Sequence, residues 1–378
     1  MFAKKNLVAV AALMAVAGAA QADVKLYGML DMSVGSFEGA HDKSAASKRV
    51  TAVESGKMMT SYFGLSGDED LGGGLKAGFA LESFLGGDTG QVVPNNAGQF
   101  WGRTSNVFLA GTFGTVTIGQ SDNPLFTSGY TYNPFGSSMA FSPTMRHLNY
   151  IGNALEGLPA GSPAFTAAAG AGFDTGWINS LAYQSPTFGG FSFSGQAAAK
   201  ETTSSNPNAK NSYALAGSYA NGPIAATLTY EKGGYSPAGT AAGFAPSYAA
   251  NDKVTDLGAS YDFGVVKLFG QATYIKKSGD ASTPVAGAFP YVTVDSKDKI
   301  WQLGVSVPVT EKAAVLASYG SLKHTEAGVG GSVKNDVFSV GYDYTLSKRT
   351  DVYAVFSNER QTGLTSGQTY AVGIKHSF

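Results

Sequence analysis

The sequence has no cysteine among its 378 residues, which excludes a disulfide scaffold, a cysteine zinc site and a thiol nucleophile. Charge is scarce as well, at 14% Asp, Glu, Lys and Arg against a usual ~25%. The formal net charge of -1 leaves no basic surplus for nucleic acid and no acidic tail. Long apolar runs occur at the start alone. Lys4 and Lys5 precede an apolar run of 14 residues, Leu7 to Ala20, too short for the ~20 that a membrane-spanning helix needs. With the small residues Ala20-Gln21-Ala22 after it, segment 1–22 reads as a secretory signal peptide removed before Asp23. No later stretch reaches 18 apolar residues, so a helical bundle is excluded and a closed β-barrel is the one remaining way to span a membrane.

Glycine and aromatics are plentiful, with 50 Gly, 19 Tyr and 23 Phe, and the apolar residues recur with period two. Trp301, Leu303, Val305 and Val307 alternate with Gln302, Gly304 and Ser306. Phe338, Val340, Tyr342 and Tyr344 alternate with Ser339, Gly341 and Asp343; Leu257, Ala259, Tyr261 and Phe263 with Asp256, Gly258, Ser260 and Asp262. Ile224, Ala226, Leu228 and Tyr230 follow the same rule, which is that of strands with one apolar face. The other face carries Gly, Ala, Ser, Thr and scattered charge, and no amphipathic helical stretch is evident. Such a face suits the lumen of a wide barrel whose apolar side meets lipid.

Connection lengths alternate. Short ones fall at Glu69 to Gly73, Phe113-Gly114, Phe188-Gly189, Asn221 to Pro223, Asp262 to Gly264, Val309 to Glu311 and Leu346 to Arg349. Long ones run from Gly35 to Lys57, Leu85 to Phe100, Asp122 to about Gly176, Glu201 to Lys210, Tyr235 to Asp252, Lys277 to Lys297, His324 to Lys334 and Gln361 to Ser366. Eight long and seven short connections predict a single domain over 23–378, an all-β, 16-stranded antiparallel transmembrane barrel with both termini and the short turns on one side. Tyr27, Tyr62, Tyr183, Tyr219, Tyr230, Tyr261, Tyr344 and Tyr370 are expected in the aromatic girdles at the membrane boundaries.

Five segments then resemble the general porins of Gram-negative bacteria, of the beta-proteobacterial type: Asp23 to Asp31, Ser61 to Ser83, Arg103 to Gly119, Asn179 to Phe191 and the closing Val372 to Phe378. The resemblance implies a homotrimer in which the third loop of each barrel folds into the lumen, starting near Asp122 with its tip turn at Asn133-Pro134-Phe135-Gly136. It implies outer-membrane lipids, lipopolysaccharide included, as surroundings, and Phe378 as the residue read by the barrel-assembly machinery. Wall arginines opposite the loop are a family feature. Arg103 matches one; Tyr62 stands where a second is expected, Gln120 replaces a common Arg after Gly, and Arg146 is the candidate for a third.

From Ser121 to Asn149 the loop carries one acid, Asp122, one base, Arg146, and His147. A nearly neutral constriction with Arg103 on the wall predicts a water-filled channel for passive diffusion of small hydrophilic solutes and ions, with weak selectivity or a slight anion preference. A channel selective for sugars or organic acids is an alternative, as is a non-porating adhesive barrel. A barrel hydrolase would need a serine and an orienting group at His147, and neither is apparent in the sequence. His41, His147, His324 and His376 show no metal-ligand spacing and read as exposed loop or interface residues, so no cofactor is implied. Gly72-Gly73-Gly74 lacks the phosphate-loop pattern and reads as a hairpin turn, in which Glu69 and Asp70 splay into water. Asp280, Asp295 and Asp298 read as solvated loop charge, with a divalent-cation site at the rim as the alternative, and Lys25 and Lys375 either face the lumen by parity or are solvated strand-end residues.

Overall fold

A computed structural model describes residues 24–41, 49–92, 100–150, 177–199, 211–233, 253–277, 295–327 and 331–378. The expected signal peptide and Asp280 lie outside them. The strands are β1 (Lys25–Phe37), β2 (Val50–Ser55), β3 (Tyr62–Gly72), β4 (Leu75–Gly86), β5 (Gln91–Val92), β6 (Thr104–Gly111), β7 (Gly114–Ser121), β8 (Trp177–Gln184) and β9 (Phe191–Ala198). They continue as β10 (Ser212–Asn221), β11 (Ile224–Lys232), β12 (Lys253–Asp262), β13 (Lys267–Lys277), β14 (Ser296–Thr310), β15 (Ala313–Glu326), β16 (Val333–Ser347), β17 (Thr350–Gln361) and β18 (Gly367–Ser377). Eighteen elements make sixteen barrel strands, because β2 and β3 lie end to end opposite β1 and β5 is a two-residue hairpin on β4.

Neighbours pair antiparallel in chain order, and β1 pairs β18 with Met32 opposite Ile374. Closure leaves no open edge, which a lipid environment requires of a spanning sheet. The alternation has its expected consequence. Leu257, Leu303, Leu228 and Val372 point outward, each more than half exposed, while Asp256, Gln302, Thr229 and Ala371 on the opposite face are buried.

Several boundaries differ from the sequence reading. β1 runs to Phe37 and β2 occupies 50–55, inside the expected loop from Gly35 to Lys57, because the ladder continues through Val34 opposite Val53 and Arg49 pairs with Glu38 at its end. His324 is in β15 rather than a loop. Tyr27 and Tyr62 face inward instead of joining a girdle, since Met29 lies directly opposite Tyr62 and Tyr27 reaches Glu82.

The third loop also contains two helices that period-two reasoning passed over, α1 (Pro124–Thr131) and α2 (Pro143–Tyr150). At eight residues each they are too short to show a repeating apolar stripe. Their starts were legible: Asn123 caps α1, its Oδ1 accepting the Phe126 N–H at 2.8 Å, with Pro124 at the first helical position. Ser142-Pro143 opens α2 in the same way, Ser142 Oγ accepting the Met145 N–H at 3.4 Å.

Segment 122–150 packs on the polar face of the sheet. Its apolar side meets wall residues that break the polar phase: Val254 lies opposite Ile275, and Ile300 opposite Leu322. These four enclose Leu125, Phe126, Met145 and Leu148. A second cluster joins Phe135 and Phe141 to Met58, Leu316, Tyr353 and Val355. Burial of these side chains is the principal force holding the segment to the wall, at about 1.5–3 kcal/mol for each large residue.

Candidate functional site

Polar latches fix the direction in which the segment lies. Ser128 Oγ donates to Asp256 Oδ2 at 2.5 Å, and the same carboxylate accepts Thr273 Oγ1 at 2.6 Å and Gln271 Nε2 at 3.1 Å. Gln302 works both ways: its Nε2 donates to the Tyr132 carbonyl at 3.0 Å and its Oε1 accepts the Thr144 N–H at 3.0 Å. His147 Nε2 meets Asn335 Oδ1 at 3.0 Å, and Ser138 Oγ donates to the Lys57 carbonyl at 2.7 Å. These bonds give the latch residues partners where burial demands them, while Gln271 Oε1, Thr144 Oγ1 and His147 Nδ1 stay buried without one among the described residues.

The tip turn is held from within. Asn133 Oδ1 accepts the Phe135 N–H at 2.8 Å while its Nδ2 donates to the carbonyls of Gly129 and Gly136 at 2.7 and 2.9 Å. Gly136 sits at φ 54°, a left-handed conformation that glycine adopts without strain. Pro134 and Phe135 face the wall at Gly304 and Gly341.

Opposite α1 lies an open polar chamber of about 430 Å³. Its wall interleaves hydroxyl and amide side chains with small apolar residues, Asn106, Thr117, Ser194 and Gln196 beside Ala182 and Ala216 on one side and Thr127 and Thr131 of α1 on the other. Among the described residues its charged lining is Arg103, Glu82 and Asp122.

Arg103 does not stand alone. Its Nη1 forms an ion pair with Glu82 Oε2, its N–H donates to the Glu82 carbonyl at 3.1 Å, and its guanidinium lies 4.0 Å from the centre of the Tyr62 ring. Glu82 also accepts Tyr27 Oη at 2.6 Å and Thr104 Oγ1 at 3.0 Å. Sequence reasoning missed Glu82, whose partner is 21 residues away. Tyr62 thus serves as a platform for Arg103, at the position where the resemblance led to a second arginine being expected. Gln120 Nε2 donates to the Gly102 carbonyl at 2.6 Å, beside Arg103.

Arg146 is not a wall residue. It belongs to α2 and binds Glu359 of β17 in a fork, at 2.6 Å from Nη2 and 3.3 Å from Nε. The charge is spent on anchoring the loop. His147 is 2% exposed, against the expectation of an exposed loop residue, and burial drives its pKa down to about 4. His324 is buried too, with Nδ1 at 2.5 Å from Asp298 Oδ1, so Asp298 is turned into the barrel wall rather than toward the rim. His376 is on β18, 2.9 Å from Thr350 Oγ1. Lys375 faces inward and pairs with Asp343 at 3.1 Å.

Phe378 closes the seam: its N–H donates to the Gly28 carbonyl at 3.1 Å and its carbonyl accepts the Gly28 N–H at 3.2 Å.

Comparison with known proteins gives a consistent result. The family model described as Gram-negative porin matches residues 9–364. Outer membrane porin protein 32 of Delftia acidovorans is 32% identical over 99% of this chain and 100% of its own length. An outer membrane porin protein of Bordetella pertussis is 30% identical with the same coverage. Among solved structures, an anion-selective porin from Comamonas acidovorans superposes with a TM-score of 0.70 at 27% identity, covering 95% of this chain and 100% of the other.

Proposed function

The chain belongs to the Gram-negative porin family, and from that premise we propose how its outer-membrane channel works. It is a water-filled pore for passive diffusion of small hydrophilic solutes and ions. Segment 122–150 lies across the lumen and narrows it, and solutes pass through the chamber between α1 and the wall of β6 to β11. The carrying observation is the polar chamber left beside a segment that latches to the opposite wall at Asp256, Gln302, Asn335 and Glu359. Hydroxyl and amide groups there replace part of a solute's hydration shell without a fixed binding geometry, so passage depends on aperture and local field.

Selectivity is weak with a slight anion preference, carried by Arg103 and muted by Glu82. That the similar Comamonas protein is an anion-selective porin supports the sign. Residues 1–22 direct export, the mature barrel assembles as a homotrimer among outer-membrane lipids and lipopolysaccharide, and Phe378 is the feature recognised by the assembly machinery. A hydrolase reading is not favoured, since His147 Nε2 is engaged by Asn335 and the family is one of channels.

Purified protein in a planar bilayer tests this reading. Stepwise conductance in groups of three, with permeability that falls smoothly with solute size, is expected. Saturable, strongly preferential passage of one sugar or organic acid would replace the general-pore reading by the selective-channel one, and silence from folded protein would overturn both.

A further inference from the structure

We propose that four glycines of the wall, Gly258, Gly304, Gly320 and Gly341, are positioning residues that set the aperture, each a notch into which one residue of the loop seats. The proposal rests on the porin reading above and deepens it. The glycines occupy β12, β14, β15 and β16 in the inward phase, aligned with the buried Asp256, Gln302, Leu322 and Ser339. Each faces a different bulky residue of the loop.

A methyl group at Gly304 would stand 2.5 Å from Pro134 Cδ and 3.0 Å from its Cγ. At Gly320 it would stand 2.5 Å from Pro143 Cβ, and at Gly341 3.1 Å from Phe135 Cε1. At Gly258 it would overlap the Tyr132 ring more closely still. Carbon atoms pack at about 3.5–4.0 Å, so relief at the two proline notches requires a withdrawal of about 1 Å or more.

Rotation of single side chains cannot supply that relief. Pro134 has a ring fixed to its own backbone. Tyr132 is 3% exposed, with its hydroxyl 2.7 Å from Thr227 Oγ1 and its carbonyl bound by Gln302. Asn133 ties the intervening turn to Gly129 and Gly136. The segment therefore withdraws as a unit, and the space free to receive it is the chamber that α1 borders. Interiors packed at this density transmit such strain rather than absorb it. Small residues in the polar phase of the strands are in this way the complement of the loop's rings, and their positions fix how far the loop stands from the far wall.

The notches differ among themselves as test sites. At Gly304 the two atoms nearest an added Cβ both belong to Pro134, and at Gly258 all three belong to Tyr132, whereas Gly320 and Gly341 also approach strand backbone. Gly270 of β13 is the control: it faces outward, and a Cβ there meets Leu303 Cδ2 at an ordinary 3.6 Å.

Single-channel conductance of the trimer in a planar bilayer, with folding followed by heat-modifiable gel mobility, is measured for wild type, Gly304→Ala, Gly258→Ala, Gly270→Ala and the double variant Gly304→Ala/Pro134→Ala. Gly304→Ala and Gly258→Ala are expected to lose roughly a quarter to a half of the conductance, with Gly270→Ala at the wild-type value. Removing the proline Cγ and Cδ in the double variant restores it, which a merely structural role for Gly304 would not produce. Wild-type conductance in both notch variants, equal loss in Gly270→Ala, or no rescue in the double variant overturns the proposal. If neither notch variant folds while Gly270→Ala does, the glycines are folding determinants and the aperture role is likewise overturned. An inactive wild type would instead count against the porin reading itself.

Discussion

Replacing Glu82 by Gln unmasks Arg103 while leaving a side chain of the same shape against Tyr27 and Thr104. The wild-type pair places opposite charges in direct contact on the chamber wall, so a passing ion meets a dipole rather than a charge. In the variant it meets the guanidinium of a side chain that is 16% exposed. An ion passing at about 6 Å then gains or loses roughly 0.7 kcal/mol at water-like dielectric and roughly 3 kcal/mol at an effective dielectric near 20. Salt at physiological strength, with a Debye length of about 8 Å, removes around half of this. The lower bound is then about 0.3 kcal/mol in favour of an anion and as much against a cation, which together raise the anion-to-cation permeability ratio about threefold. Reversal potential in a salt gradient reads this directly. Arg103→Gln is expected to move it the other way, because it leaves Glu82 uncompensated, and the double variant should return close to wild type. An unchanged ratio in Glu82→Gln, or a shift toward cations, would refute the assignment of selectivity to this pair.

Acid should loosen the loop through His147, which faces Asn335, Glu359, Asp336 and Arg146. Burial holds its pKa near 4 in the docked state against an ordinary ~6.5 when released, so docking is undiminished above pH ~6.5 and weakens by up to about 3 kcal/mol as pH falls toward 4. Open-channel noise should rise over that window in wild type and be flat there in His147→Gln. At the seam, Gly28→Ala places a methyl 2.5 Å from both the Phe378 ring and the Tyr62 carbonyl, and the yield of folded barrel in refolding assays should fall sharply. On the lipid face, Leu303→Arg, at a position 63% exposed, should lower stability by about 2–4 kcal/mol if it lies at the bilayer midplane, seen as a shifted urea midpoint in detergent or liposomes, whereas Leu303→Phe should be near neutral.

The barrel was legible because its signals are local. Alternation at 301–307 or 338–344 needs no partner to be read, and turn residues punctuate it at intervals the chain itself displays. The inward phase was read with equal ease, Gly258, Gly304 and Gly341 included, yet nothing local says why those positions are glycine. Their reason lies in Tyr132, Pro134 and Phe135, more than a hundred residues earlier. The latches share that remoteness: Ser128 and Asp256 are 128 residues apart, and Arg146 and Glu359 are 213 apart. One signal was available and unused. Val254, Ile275, Ile300 and Leu322 put apolar side chains into the polar phase of adjacent strands, which marks a wall that another element covers. Together with Asn123-Pro124 and Ser142-Pro143 as helix starts, they would have located both helices and their seat.

The same contacts explain why so much charge on the polar face leaves so little field in the channel. Arg146 is neutralised by Glu359, Lys375 lies against Asp343, Asp298 is held by His324, and Asp256 is surrounded by hydroxyl and amide donors beneath α1. Were the charged groups that dock the loop also those that line the chamber, docking and selectivity would be coupled, and any change in one would alter the other. Instead the charged groups that dock the loop face the wall, and Arg103, Glu82 and Asp122 line the chamber. Variants of the latches should therefore change conductance and noise with little effect on ion preference, while variants of Glu82 and Arg103 change preference with little effect on aperture. Measuring both quantities on Gln302→Ala and Glu82→Gln separates the two roles: a shift in reversal potential for Gln302→Ala comparable to that for Glu82→Gln would show that loop position and pore field are one property rather than two.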